Sequence, residues 1–176
     1  SQNRHALLRH LGDGGPHRIL DFGCGPGRDL IAFQSQGHLP TGLEGSAEFV
    51  RMARAHSGCE VLHQDFLQLD LPPNRFDGVF ANASLFHVPS QSLADVLQAL
   101  WRTLRPGGVL FSSNPRGADV EGWNGARYGT YLCLETYRRY LQGAGFVALE
   151  HYYRPPGRPR VEQPWLASVW RKPDVK

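Results

Sequence analysis

Three short segments carry residue types and spacings that could hold a nucleotide-like ligand. The first, Leu20-Asp21-Phe22-Gly23-Cys24-Gly25-Pro26-Gly27, runs from an apolar stretch through a glycine-dense turn into the start of a helical pattern. Glycines there let a ligand lie against the backbone, and the helix N-terminus behind them adds free N–H groups and partial positive charge suited to a phosphate or carboxylate. Glu44 closes the next apolar stretch, where a carboxylate can accept two hydrogen bonds from a ribose diol. Asp65-Phe66 follows a third stretch and offers an acceptor and an apolar wall to an adenine edge. The turn is weak evidence by itself, because dinucleotide enzymes use a related one and Glu44 suits either class.

Further along, His87 lies in Asn82-Ala83-Ser84-Leu85-Phe86-His87-Val88-Pro89, after a fourth apolar stretch. It is the candidate proton acceptor or substrate-positioning group, with packing as the plainer alternative. Asn114-Pro115-Arg116-Gly117 and then Trp123, Arg127, Tyr128 and Tyr131 supply donors and aromatic rings at a pocket mouth. Arg116 and Arg127 point to a carboxylate or phosphate on the substrate, whereas the three aromatic residues suit loop packing equally well.

These groups have to be held by alternating strands and helices, and the pattern supplies them. Strands are expected at 18–22, 39–44, 60–63, 76–81, 109–113, 146–152 and 165–170. Helices are expected at 4–11, 28–36, 90–104 and 134–142, with another from the N-cap Ser46 through His56. In the helix at 90–104, Leu93, Val96, Leu97, Leu100 and Leu104 recur at three- and four-residue spacing. Residues 115–129 show no period and read as an ordered loop over a site.

With these elements placed, the sequence resembles the class I S-adenosylmethionine-dependent methyltransferases of the small stand-alone type, from about Arg18 to Phe146. LDFGCGPG is similar to that family's first motif, TGLEGS to its acidic second, HQDF to the adenine-facing third, RFDGVFANASLFHV to its fourth strand and loop, and LRPGGVL to the entry of strand five. The resemblance implies an α/β, Rossmann-like three-layer sandwich whose seven-stranded, mainly parallel sheet has the order 3-2-1-4-5-7-6, the seventh strand antiparallel. It implies S-adenosyl-L-methionine as cofactor and S-adenosyl-L-homocysteine as product. Gly23, Gly25 and Gly27 would pass the methionine half, Asp21 would orient the turn, Glu44 would take the ribose hydroxyls and Asp65 the adenine amino group. Cys24, Gly45, Ser46, Phe66 and Asn82 complete the implied cofactor set, and Glu44 stands where the family more often has aspartate.

The implied reaction is in-line methyl transfer to an oxygen, nitrogen or sulfur nucleophile of a small molecule, with His87 the candidate catalytic group. Asn-Ala-Ser-Leu after strand four lacks the Pro-Pro-aromatic pattern of nucleobase-amino methylation, which disfavours a nucleic-acid substrate. An RNA or protein methyltransferase, or a non-catalytic cofactor-binding module, is the alternative. A nicotinamide-dependent oxidoreductase fits less well, since the only lysines are Lys172 and Lys176 and no Tyr-x-x-x-Lys pair precedes them. The chain starts some 17 residues before the first strand, so a helical roof over the acceptor is expected to be trimmed or supplied by a second subunit.

Composition narrows the rest. A 176-residue chain with 41% hydrophobic and 20% charged content suits one domain, 1–176. Cys24, Cys59 and Cys133 form no CxxC, so no metal or disulfide framework is expected. No signal peptide or apolar run of roughly 20 residues appears, so no membrane partner and a cytoplasmic location are expected, for a monomer or homodimer. Residues 1–150 hold 13 Lys/Arg against 14 Asp/Glu and residues 151–176 hold 6 against 2. That basic tail, with Arg154, Arg158 and Arg160, reads as a solvated loop between two strands.

Overall fold

The computed structural model describes residues 1–174. Ser1 accepts a hydrogen bond from the Arg4 backbone N–H (3.2 Å) and so begins α1, Gln2–Leu11. Alternation follows: β1 Arg18–Phe22, α2 Arg28–Ser35, β2 Leu39–Glu44, α3 Ala47–Ser57, β3 Val61–His63, β4 Phe76–Asn82, a 3₁₀ turn Leu85–His87, α4 Ser90–Thr103 and β5 Leu104–Pro115. A hairpin of β6 Val120–Asn124 and β7 Arg127–Tyr131 leads to α5 Leu134–Gly143, β8 Val147–Arg154, a 3₁₀ turn Arg160–Glu162 and β9 Trp165–Arg171.

Seven strands form one sheet in the order β3-β2-β1-β4-β5-β9-β8, with β9 antiparallel to both neighbours. That is the expected order, since β8 and β9 are the sixth and seventh strands of the sheet. Residues alternate between its faces. Leu20, Phe22, Val79 and Leu110 pack towards α4 and α5, while Ile19, Phe80, Val109 and Phe111 pack towards α1 and Phe33 of α2. Leu30 of α2 meets Val50 and Ala53 of α3 in a third cluster beside Cys24. Burial on both faces is why β1 and β4 carry near-continuous apolar runs.

The expectation of an irregular loop at 115–129 is corrected. Residues 120–131 form the two-stranded β6–β7 hairpin, which docks over the 3₁₀ turn and the start of α4. Thr130 Oγ1 donates to the Val88 carbonyl (2.8 Å), and the Glu121 carboxylate accepts from the Ser90 backbone N–H (3.0 Å) and hydroxyl. Pro89 is the N-cap of α4 and has no capping side chain, so Glu121 caps that helix from outside.

The fold puts the ends of β1, β2, β4 and β5, the start of β9 and the end of β8 along one edge of the sheet. Asn82 pairs with Ser113 across β4–β5, and Trp165 lies between Pro115 and Arg154. Lys172 lies at the opposite edge, 4% exposed, with its ammonium on the Leu104 carbonyl (2.8 Å) and over Trp101.

Candidate functional site

Two adjoining clefts open along that edge and share Ala83 as a wall. The first, about 910 Å³ with its open mouth included, is lined by Gly23, Gly25, Glu44, Ser46 and Phe66, with Ala83, Ser84, His87, Arg127 and Tyr128 opposite. Phe49 of α3 adds an apolar side that the motifs had not indicated. The second, about 810 Å³, is lined by Asn3, Asn82, Ala83, Ser113, Arg154 and Trp165. Ala83 itself has φ +61°, a left-handed conformation unusual for alanine, and its N–H donates to the Ser113 carbonyl (2.8 Å).

The turn after β1 is built by its own bonds. The Gly23 and Cys24 N–H groups both donate to the Leu43 carbonyl (2.8 and 3.0 Å), and the Gly25 N–H donates to Glu44 Oε1 (2.9 Å). The N–H groups of the turn are thus engaged within the protein. What it offers is bare backbone. A Cβ on Gly23, at φ +80°, would lie 2.7 Å from Ser84 Cβ, whereas one on Gly25, at φ +54°, would meet nothing within 4 Å and stand in open space. Gly27 begins α2 where that helix passes close to Ala53 of α3.

Glu44 sits at the end of β2 with both oxygens engaged once, Oε1 by Gly25 and Oε2 by the Ser46 N–H (3.0 Å). Each oxygen retains a lone pair for a further donor. Ser46 Oγ caps α3 through the Phe49 N–H (3.3 Å), and the Gly45 carbonyl faces His63 Nε2 (3.1 Å). Cys24 buries its thiol against Gly42, where burial pushes the thiol pKa up to about 12, and it is not among the residues lining the cleft. Phe66 stacks on Phe22 at 4.2 Å. Asp65 is exposed and is not among the residues lining the cleft; its Oδ1 accepts from the Leu67 N–H (2.8 Å).

Asp21 is the electrostatic anomaly. It is 2% exposed, and its Oδ2 is buried with no partner among the described residues. Burial raises its pKa well above the usual carboxylate value, the Asp29 and Glu44 charges add to this, and Arg4 opposes it. Arg4 is held instead by Asp29 at 2.5 Å. The Ser84 hydroxyl, in the wall of the first cleft, is likewise buried without a partner.

His87 lines the same cleft, and its Nδ1 lies 2.9 Å from the Tyr128 carbonyl of the hairpin. A carbonyl only accepts, so Nδ1 carries the hydrogen and Nε2 is left as the acceptor of the neutral ring. The substrate-side candidates divide. Arg127 and Tyr128 reach the first cleft, with the Tyr128 hydroxyl donating to Glu121 (2.7 Å). Asn82, expected in the cofactor set, lines the second cleft instead, its Oδ1 accepting from Asn3 Nδ2 (3.1 Å).

Four of the substrate-side candidates are not brought to either cleft. Asn114 Oδ1 accepts from the Phe86 N–H (3.1 Å) and sets the loop after β4. Arg116 bonds the Gln163 and Arg160 carbonyls at 2.8 and 2.5 Å and so ties down the β8–β9 connection. Trp123, 74% exposed, lies edge-on to Tyr128 at the hairpin. Tyr131 folds back over Gly129 and Gly117 and faces Phe86 at 6.1 Å. Conversely, the basic tail is not simply solvated: Arg160 stacks on Tyr153 at 3.6 Å, and Arg154 enters the second cleft.

Such an edge, with an acidic residue ending β2 beside a glycine turn after β1, defines a nucleoside-cofactor α/β enzyme fold. Residues 19–108 match the family model described as "Methyltransferase domain", and the chain belongs to that family. It is 32% identical to a sterol 24-C-methyltransferase of Yarrowia lipolytica, covering 97% of this chain and 50% of that protein. A trans-aconitate 2-methyltransferase of an Azoarcus species is 38% identical, over 57% of this chain and 40% of its own length. Among solved structures, a Burkholderia thailandensis 1,6-didemethyltoxoflavin-N1-methyltransferase bound to its substrate and S-adenosylhomocysteine superposes with TM-score 0.81 and 25% identity, covering 98% and 77% of the two chains. The chain spans about a third of the length of several curated relatives, as with 28% of a rice 24-methylenesterol C-methyltransferase and 37% of an Enterobacter lignolyticus malonyl-[acyl-carrier protein] O-methyltransferase.

S-adenosylmethionine is the cofactor of this class, and the residues present fit it. The unpartnered Asp21 carboxylate suits a cationic ligand, Glu44 retains acceptor capacity for a diol, and Gly25 leaves a cradle that any side chain would fill. No helix of the described residues is long and apolar enough to cross a membrane.

Proposed function

We propose that this domain transfers a methyl group from S-adenosylmethionine to a small-molecule acceptor. The observation that carries the reading is the pair of adjoining clefts meeting at Ala83, one bounded by Glu44 and the glycine turn and the other by neutral donors and Arg154. The bound cofactor supplies an electrophilic methyl group on a sulfonium, and the protein's part is alignment, worth roughly 7 to 11 kcal/mol when complete. Glu44 takes the ribose hydroxyls, with Gly25 and Ser46 holding its carboxylate in place. Phe66 and Phe49 flank the base, Asp65 accepts from it, and Asp21 supplies negative charge towards the cofactor's ammonium group.

His87 is the candidate group at the reacting atoms. With Nδ1 tied to Tyr128, its Nε2 accepts a hydrogen bond from the acceptor's nucleophile and takes its proton where it arrives protonated. Arg127 and Tyr128 close the mouth from the hairpin. Small-molecule names among the relatives support the acceptor class, including trans-aconitate and the toxoflavin precursor. We read residues 1–176 as one methyltransferase domain, a monomer or homodimer with no nucleic-acid partner. Its three free cysteines suit a reducing, cytoplasmic compartment.

Parallel calorimetric titrations with S-adenosylmethionine, S-adenosylhomocysteine and NADH test the cofactor class. Binding of the first two alone is expected and justifies an acceptor screen with labelled methyl donor. Binding of NADH alone would replace this reading by an oxidoreductase.

A further inference from the structure

The chain's arginines are mostly committed. Arg4, Arg9, Arg105, Arg138 and Arg158 are ion-paired, and Arg116, Arg160 and Arg171 bond carbonyl or amide oxygens. Arg154 stands apart. Its Nε is buried without a hydrogen-bond partner among the described residues, and Arg154 is one of the residues lining the second cleft. A buried guanidinium N–H with no acceptor is costly to the folded protein, and a bound oxyanion is the partner that would relieve it.

The surroundings favour the same ligand. The cleft is lined otherwise by Asn3, Asn82, Ala83, Ser113, Pro155 and Trp165, with no carboxylate to neutralise the arginine. Its polar groups are set in place: the Tyr152 hydroxyl donates to Asn3 Oδ1 (2.7 Å) and Asn3 Nδ2 donates to Asn82. Arg154 ends β8 opposite Trp165 in the ladder, and the following Pro155 carbonyl is held by Gln163 Nε2 (2.9 Å), so a rigid sheet edge carries the guanidinium. One guanidinium beside an indole matches a single planar carboxylate on a flat molecule. A phosphate, with nearly twice the charge, would call for a second cation that this cleft lacks.

We propose that Arg154 is the anchor for a carboxylate on the methyl acceptor, so that the second cleft selects anionic, planar small molecules. Calling that anion the acceptor rests on the methyl-transfer reading; the anion site itself does not.

The test uses benzoate and its uncharged isostere benzamide, titrated into the protein saturated with S-adenosylhomocysteine while the Trp165 indole N–H resonance is followed. Benzoate is expected to shift that resonance and to bind roughly tenfold or more tightly than benzamide, as a charge-assisted contact requires. Arg154→Gln removes that preference, Arg154→Lys keeps part of it, and affinity for S-adenosylhomocysteine stays the same in both. Equal binding of the two probes, or benzoate binding unchanged in Arg154→Gln, overturns the proposal. So does a tenfold loss of S-adenosylhomocysteine affinity in Arg154→Gln, which would assign the guanidinium to the cofactor's own carboxylate. If Arg154→Gln does not fold, the wild-type probe comparison and the Lys variant still decide. If the wild type fails to bind S-adenosylhomocysteine, the methyl-transfer reading falls, and the same titration on unloaded protein still judges the anion site.

Discussion

Replacing Asp21 by asparagine should make the ligand-free protein more stable and its cofactor site weaker. Asp21 is buried at 2% exposure, with Oδ2 unpartnered, Asp29 and Glu44 adding negative charge nearby and Arg4 drawn off to Asp29. A carboxyl whose folded pKa is raised holds its proton more tightly in the folded chain. Its contribution therefore disfavours folding progressively as pH rises above the unfolded value of about 3.9, and vanishes below it, where both states are protonated. Asparagine keeps the shape without the charge. An unsatisfied buried polar group costs about 1 to 3 kcal/mol, and each kcal/mol shifts the Tm of a chain this size by roughly 2 to 4 °C. Scanning calorimetry from pH 4 to pH 8 should show Asp21→Asn melting above the wild type at neutral pH, with the gap closing towards pH 4. Titration should show S-adenosylmethionine binding weakened by about ten- to a hundred-fold, the loss of one charge-assisted contact. A Tm gap independent of pH, or a less stable variant with unchanged cofactor affinity, would refute the assignment of Asp21 as a charge held in readiness for the ligand.

Glu44→Ala should weaken S-adenosylhomocysteine by roughly ten- to a hundred-fold and also lower stability by about 1 to 3 kcal/mol, because the carboxylate joins Gly25 to Ser46 before any ligand arrives; unchanged denaturant midpoint and affinity would contradict both roles. His87→Ala should lower turnover by roughly a hundred-fold or more, with S-adenosylhomocysteine affinity changed by less than about threefold, once an acceptor is known. Equal losses in both would leave it a packing residue beside Phe86. Glu121 is held below the usual carboxylate range by the Ser90 hydroxyl and N–H and by Tyr128. Its support of the hairpin is complete above the unfolded carboxylate value of about 4.3 and is lost as pH falls through the lowered folded value. Trp123 emission, isolated by difference against Trp123→Phe, should report hairpin release under acid, and Glu121→Gln should show the released signal already at pH 7. A signal flat from pH 7 to pH 3 in the wild type would rule this out.

Most of the sheet was legible because its cues are local. Gly23, Gly25 and Gly27 mark a strand-to-helix turn, the apolar runs of β1 and β4 mark strands covered on both faces, and Ser46 marks the start of α3. The hairpin at 120–131 was missed although Asn124-Gly125 is a hairpin turn signal. β6 is mostly exposed, β7 is partly buried, and neither shows a period-two apolar pattern, so their stability comes from docking through Glu121, Thr130 and Tyr128 rather than from their own sequence.

By itself the sequence determined the order of elements, the glycine turn, and the acidic residues at the ends of β2 and β3, since each depends on neighbours a few positions away. Tertiary structure alone decided which side chains meet. It turned Cys24 inward, gave Arg116 to the tail carbonyls, left Asp21 Oδ2 without a partner among the described residues, and carried Arg154 from a basic tail to the cleft beside Asn82. Those outcomes depend on pairings between strands, some of them 50 residues apart as in the Pro115–Trp165 register, and on where burial leaves a charge with no counter-charge.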